Sequence, residues 1–128
     1  MHKGFIKTAA FAGALAVGLG AFGAHGLKKI FSPEILQTWE TAVKYQFYHV
    51  LALLAVGILY DRFANTLINW AGRLFIAGMI IFSGSLYLLC FAKNGEWGMD
   101  WIGAITPVGG VCFILGWLFI LGGVMRKD

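Results

Sequence analysis

The chain has 128 residues, 59% of them hydrophobic and only 12% charged, with a mean hydropathy of +0.78. Soluble domains carry about 25% charged residues, so an ordinary soluble globule is excluded, and four membrane spans with their connections use up the length. The net charge of +4 is no nucleic-acid signal here; it is read by side of the membrane, because Lys and Arg near span ends set orientation.

Residues 8–27, 45–60, 74–92 and 101–125 contain no Asp, Glu, Lys or Arg. A helix crosses the hydrocarbon layer, roughly 30 Å thick, with about 20 residues rising about 1.5 Å each. The pattern predicts one all-α membrane domain, a four-transmembrane-helix bundle with spans over about 5–25, 43–60, 70–91 and 106–125. The second span borrows residues 39–44, and the segment over about 33–43 reads as an amphipathic interfacial helix preceding it.

Lys3 and Lys7 before an apolar run imitate a secretory signal, but the run continues past its first Ala-x-Ala triplet, so an uncleaved first span is expected. Ala9, Gly13, Ala16, Gly20 and Gly23 recur at alternating four- and three-residue steps and share one stripe of that span. Hydrophobic drive between helices is weak in lipid, and small residues there let backbones approach. Gly26 is expected to stop the helix, with Lys28 and Lys29 anchoring its exit.

Ser32-Pro33-Glu34 is a helix start: Ser as N-cap, Pro in the first turn, an acid at the positive end of the dipole. Ile35, Leu36, Trp39, Ala42 and Val43 form an apolar stripe, with Glu34, Gln37, Glu40, Thr41 and Lys44 elsewhere. Two geometries fit: one helix of about 42 Å projecting from the bilayer, or an interfacial helix that bends into the span. Trp39 and Tyr45, with Trp97 and Trp101 in the last loop, are expected as interface anchors. Thr106-Pro107 repeats the cap-then-Pro start, and Gly109, Gly116 and Gly123 give the fourth span a second small-residue seam. One seam is expected to close the bundle and the other to serve a partner; the plainer alternative uses both internally.

Four spans place both termini and the middle loop on one face. That face holds six basic residues (Lys3, Lys7, Arg62, Arg73, Arg126 and Lys127) against four on the other. The bias predicts a multi-pass membrane protein with both termini cytoplasmic. Cys90 and Cys112 sit apart in different spans without a C-x-x-C, which argues against thiol–disulfide chemistry.

Four segments resemble one family closely: Gly20-Ala-Phe-Gly-Ala-His-Gly-Leu27, Trp39-Glu-Thr-Ala-Val-Lys-Tyr-Gln-Phe-Tyr-His49, Phe82-Ser-Gly-Ser-Leu-Tyr87, and Ile105-Thr-Pro-Val-Gly-Gly110 followed by Gly116-Trp117. They are similar to the small four-span family catalogued as domain of unknown function 423, found in bacterial inner membranes with relatives among animal transmembrane proteins. The resemblance covers essentially the whole chain. It implies a multi-pass membrane protein and brings no activity, cofactor or site residue.

Polar residues within spans are the usual functional pointers. Gln46, His49, Ser83, Ser85 and Tyr87 are the candidates, with Thr106 at the mouth of the fourth span. Counting about 1.5 Å per residue from the presumed cytoplasmic edge puts His49 about 16 Å deep, Ser83 about 20 Å, Gln46 about 21 Å and Tyr87 about 25 Å. One shared polar cluster is therefore expected. It reads either as hydrogen-bond glue between spans two and three or as a proton-, ion- or ligand-binding site switched by His49. His25 and His49 invite a haem, but their depths differ by about 13 Å, so no cofactor is expected. Too few Cys, His or carboxylate ligands gather for a metal, and no catalytic motif appears. The reading favoured is a non-enzymatic helix-packing protein, either a homo-oligomer or an accessory subunit of another membrane protein. The alternative is a minimal transporter or channel through the cluster around His49.

Overall fold

The computed structural model describes residues 1–126; Lys127, counted above with the basic residues, and Asp128 lie outside the described residues. Helix α1 runs Lys3–His25, α2 Pro33–Leu59, α3 Thr66–Gly78, α4 Gly84–Asn94 and α5 Thr106–Met125. A π-helical turn at Met79–Ser83 joins α3 to α4 into one continuous third span. Four spans result, each long and apolar enough to cross a membrane. The described chain is an all-helical bundle, as the charge-free stretches require.

Local chemistry sets the helix ends. The His2 ring, rather than a hydroxyl or carboxyl, caps α1, its Nδ1 accepting from the Phe5 N–H at 3.0 Å. Ser32 caps α2 through its Oγ on the Ile35 N–H (3.3 Å), with Pro33 and Glu34 in the first turn. Asn65 caps α3 through Ile68 (3.1 Å) and also donates its side-chain amide to the Gly123 carbonyl (3.0 Å). That second bond, with the ion pair between the Met1 ammonium and Asp61, gathers the N-terminus, the turn over 60–65 and the end of α5 at one end of the bundle. α1 ends at His25 without a left-handed glycine: Gly26 stays right-handed and leads into a 3₁₀ turn, Leu27–Lys29.

The segment over 33–43 is the outer part of a single 27-residue helix. Its apolar stripe does not face lipid headgroups. Trp39 is only 3% exposed and packs in a cluster with Leu27, Phe31 and Cys90. This corrects the placement of Trp39 as an interface anchor. The turn over 27–31 and helix α4 cover the stripe, and the Leu19 carbonyl of α1 accepts the indole N–H at 2.9 Å, so the ring needs no water at its polar edge. Tyr45, Trp97 and Trp101 are exposed.

Both small-residue seams are used inside the bundle. On α1, Ala9 and Ala16 are 1% exposed, and a Cβ on Gly23 would stand 2.5 Å from Trp39 Cδ1 of α2. On α5, a Cβ on Gly116 would come within 2.6 Å of Phe75, one on Gly123 within 2.6 Å of Ile68, and one on Gly109 would strike the backbone of Phe82. Thus α1 lies backbone-close on α2, and α5 lies backbone-close on the third span. The expectation that one seam stays free for a partner is corrected: each is complementary to a large side chain or backbone of its own sequence neighbour.

Candidate functional site

The third span passes between α2 and α5, and its π turn carries Ser83 at one end. Ser83 is fully buried, and its Oγ donates to the Ala42 carbonyl of α2 at 2.8 Å. Two residues on, a helix presents nearly the opposite side. Ser85 accordingly meets α5, its Oγ 2.6 Å from Thr106 Oγ1 and 2.9 Å from the Phe82 carbonyl. Thr106 is therefore not the side-chain cap its position before Pro107 suggests: α5 begins without a side-chain cap bond, and the hydroxyl is held by Ser85.

One turn further along α4, Tyr87 donates its hydroxyl to Gln46 Oε1 at 2.6 Å. Gln46, 5% exposed, gives one amide proton to the Ala12 carbonyl of α1 at 2.9 Å. Three spans are linked through one amide side chain.

His49 belongs to a different set. It is 5% exposed, and its ring stacks on Phe113 with centroids 3.6 Å apart and planes 10° from parallel. Nε2 lies 3.1 Å from Trp117 Nε1, and Nδ1 lies 2.8 Å from the Tyr45 carbonyl. An indole N–H only donates and a carbonyl only accepts. The two bonds therefore select the neutral ring with its proton on Nδ1. Phe75 and Trp117 complete the surround, with ring centroids 5.5 and 5.9 Å from the imidazole.

The five sequence candidates thus do not converge. Gln46 and Tyr87 pair beside α1, His49 pairs with Trp117 of α5, Ser83 binds backbone, and Ser85 pairs with Thr106. Among the described residues no buried side-chain nitrogen or oxygen lacks a partner, and no three His, Cys, Asp or Glu side chains gather as metal ligands. Trp117 is the residue the sequence reading passed over as a site. Its signal was available: a Trp in mid-span, away from the interfacial belts where Trp normally sits, needs a buried acceptor for its N–H.

Comparison with known proteins gives consistent relatives. A family model described as "Protein of unknown function (DUF423)" matches residues 19–110. A UPF0382 membrane protein of Staphylococcus saprophyticus is 46% identical over 124 residues, covering 97% of this chain and 98% of that protein. The UPF0382 membrane protein YwdK of Bacillus subtilis is 45% identical over 125 residues, with 97% and 98% covered. No solved structure matches significantly.

Proposed function

The chain belongs to the DUF423 family of membrane proteins, and from that premise we propose that it is a non-enzymatic helix-packing protein, working as a homo-oligomer or as an accessory subunit of another membrane protein. The observation that carries this reading is the consumption of its intramembrane polar groups. Gln46, His49, Ser83, Ser85, Tyr87 and Thr106 are each bonded to another element or to backbone. Such bonds contribute about 0.6 kcal/mol each in membranes and favour one register of the bundle. Among the described residues they leave no nucleophile beside a base and no paired carboxylates.

With both seams internal, a partner must meet the outer surface. That surface is least protected on α1, which packs chiefly on α2. Ala10, Ala14, Gly18 and Ala21 lie on its exposed side, and a Cβ at Gly18 would meet nothing. Native mass spectrometry in mild detergent, combined with crosslinking in the native membrane, tests the reading. A dimer or a stoichiometric complex is expected, and a monomer without a partner refutes it. The rival reading, a transporter path through His49, gains less support, because both ring nitrogens are engaged and aromatic rings surround them. Proton or solute flux into proteoliposomes that is lost in His49→Ala would revive it. We further propose an inner-membrane location with both termini cytoplasmic, on the basic-residue bias of that face.

A further inference from the structure

One residue serves two helix ends where the N-terminus and the turn over 60–65 meet. The His2 backbone N–H donates to the Gly57 carbonyl at 2.8 Å, satisfying one of the acceptors that the last turn of α2 leaves open. The His2 ring accepts the Phe5 N–H on Nδ1 at 3.0 Å and so caps α1. That ring also stacks on Phe5, with centroids 3.7 Å apart and planes 13° from parallel, and meets Tyr60 edge-on at 5.0 Å. Phe5 in turn packs against the backbone of Gly72 of α3. Three spans therefore converge on His2 and Phe5.

This cap has a charge requirement that the caps at Ser32 and Asn65 do not share. A backbone N–H only donates, so Nδ1 must be bare and the neutral ring holds its proton on Nε2. A proton added to Nδ1 removes the acceptor and sets a cation at the N-terminus of a 23-residue helix, where the macrodipole repels it. The last turn of α2, beside the same ring, has the opposite polarity and attracts that cation. Imidazole is the side chain that changes charge between about pH 5 and 8. The groups around it are few. Tyr60 faces the ring from α2, and Asp61, the carboxylate at this end among the described residues, is ion-paired with the Met1 ammonium. The cations there are Lys3 and Lys7 of α1, Arg62 of the turn, Arg73 of α3 and Arg126 after α5. Arg62 lies over the Phe63 ring and Arg73 over Trp70.

We propose that His2 is a pH-operated latch between the start of α1 and the end of α2. Neutral, it holds the first turn of α1 closed; protonated, it gives up the Phe5 N–H and turns its charge toward the last turn of α2. The neutral ring is the capping form, so the latch is closed on the alkaline side of the imidazole titration and opens as pH falls through it. The first turn of α1 then loosens, and with it the seating of Phe5 on Gly72. Nothing in this depends on the oligomeric state of the chain.

The test uses the full chain in lipid nanodiscs, with hydrogen exchange at the Phe5 amide followed by nitrogen-15 NMR from about pH 8 down to about pH 5.5. His2→Asn supplies a cap with no charge to change. Exchange is therefore read as the ratio of the wild-type rate to the His2→Asn rate at each pH, which cancels the intrinsic pH dependence of exchange. The ratio is expected at about 1 at the alkaline end and to rise roughly fivefold at the acid end, the size of a lost cap. Its midpoint should coincide with that of the His2 ring nitrogen shifts, and His2→Ala should exchange fast at every pH. A ratio that stays flat overturns the proposal; if both proteins then speed up together on acidification, the Asp61 ion pair is the responsive group. A midpoint that departs from that of the His2 ring overturns it too. So does loss of helical circular dichroism over the same range, which would make the event global unfolding.

Discussion

Gly23→Ala and Gly18→Ala make the same chemical change on the same helix, five residues apart, and should have opposite signs. Replacing Gly by Ala in a helix interior normally stabilises by about 0.8–1.0 kcal/mol through backbone entropy. At Gly18 nothing opposes that gain, because the new methyl meets no atom. At Gly23 the methyl would stand 2.5 Å from Trp39 Cδ1 and 2.7 Å from Nε1. The indole cannot simply turn away: its N–H is fixed on the Leu19 carbonyl at 2.9 Å, and Phe31 and Tyr87 flank its ring at 6.1 and 4.7 Å. Overpacking costs about 1–3 kcal/mol, and a strained or lost interhelical hydrogen bond adds about 0.6. Offset by the helix gain, Gly23→Ala should destabilise by about 1–3 kcal/mol, whereas Gly18→Ala should be neutral or stabilising by up to about 1. Reversible unfolding in mixed micelles, followed by Trp emission and circular dichroism, measures both. Adding Trp39→Phe should relieve most of the Gly23→Ala penalty, because the smaller ring vacates the contested space. Equal, benign effects of the two alanine substitutions would refute the claim that the α1 seam is held tight against α2.

Three further outcomes follow from the geometry. Nitrogen-15 NMR of labelled His49 should show a neutral ring protonated at Nδ1; a proton on Nε2 would contradict the Trp117 bond, and Trp117→Phe should cost no more than about 1.7 kcal/mol. Gln46→Leu alone should destabilise by about 1–3 kcal/mol by leaving the Tyr87 hydroxyl and the Ala12 carbonyl short of a partner, and adding Tyr87→Phe should recover part of that loss in the same unfolding assay. A phosphatase fused after the C-terminus should be inactive and a fluorescent protein bright if the termini are cytoplasmic; the reverse pattern would overturn the orientation.

The spans were legible because lipid leaves charge nowhere to go: the fences at Lys7, Lys28, Asp61, Lys93 and Arg126 fall within a few residues of helix ends, while Lys44 and Arg73 fall inside helices that run on beyond the charge-free stretch. Both seams were legible as periodic small residues, but not their partners, since a glycine stripe shows that something comes close and not what. The polar pairings were hidden for a different reason. Ala12, Leu19 and Ala42 act through backbone carbonyls, which every residue possesses and no side-chain pattern advertises. Depth counting put Gln46, His49, Ser83 and Tyr87 at similar levels, yet it carries no azimuth. Residues at one level therefore divided among α1, α2 and α5. The π turn over 79–83 has no evident trace in Met-Ile-Ile-Phe-Ser, and Thr106 was misread because a hydroxyl before proline suits a cap as well as it suits a bond to Ser85.

The two kinds of contact divide the molecule unevenly. The periodic glycine seams join α1 to α2 and the third span to α5, within each half of the sequence, and across the halves one glycine contact, Phe5 on Gly72, is added to the shared apolar core. The bonds that cross between halves are polar: Ser83 to Ala42, Tyr87 to Gln46, Trp117 to His49 and Cys90 to Ile35. The chain is in this sense an intramolecular complex of two helical hairpins, with the 60–65 turn as its tether. Such a tether acts by keeping the second hairpin at high effective concentration near the first, while directional bonds fix the angle at which they dock. Each hairpin can then enter the bilayer with its own seam already closed, and orienting one hairpin on the other becomes a separate, later event in assembly.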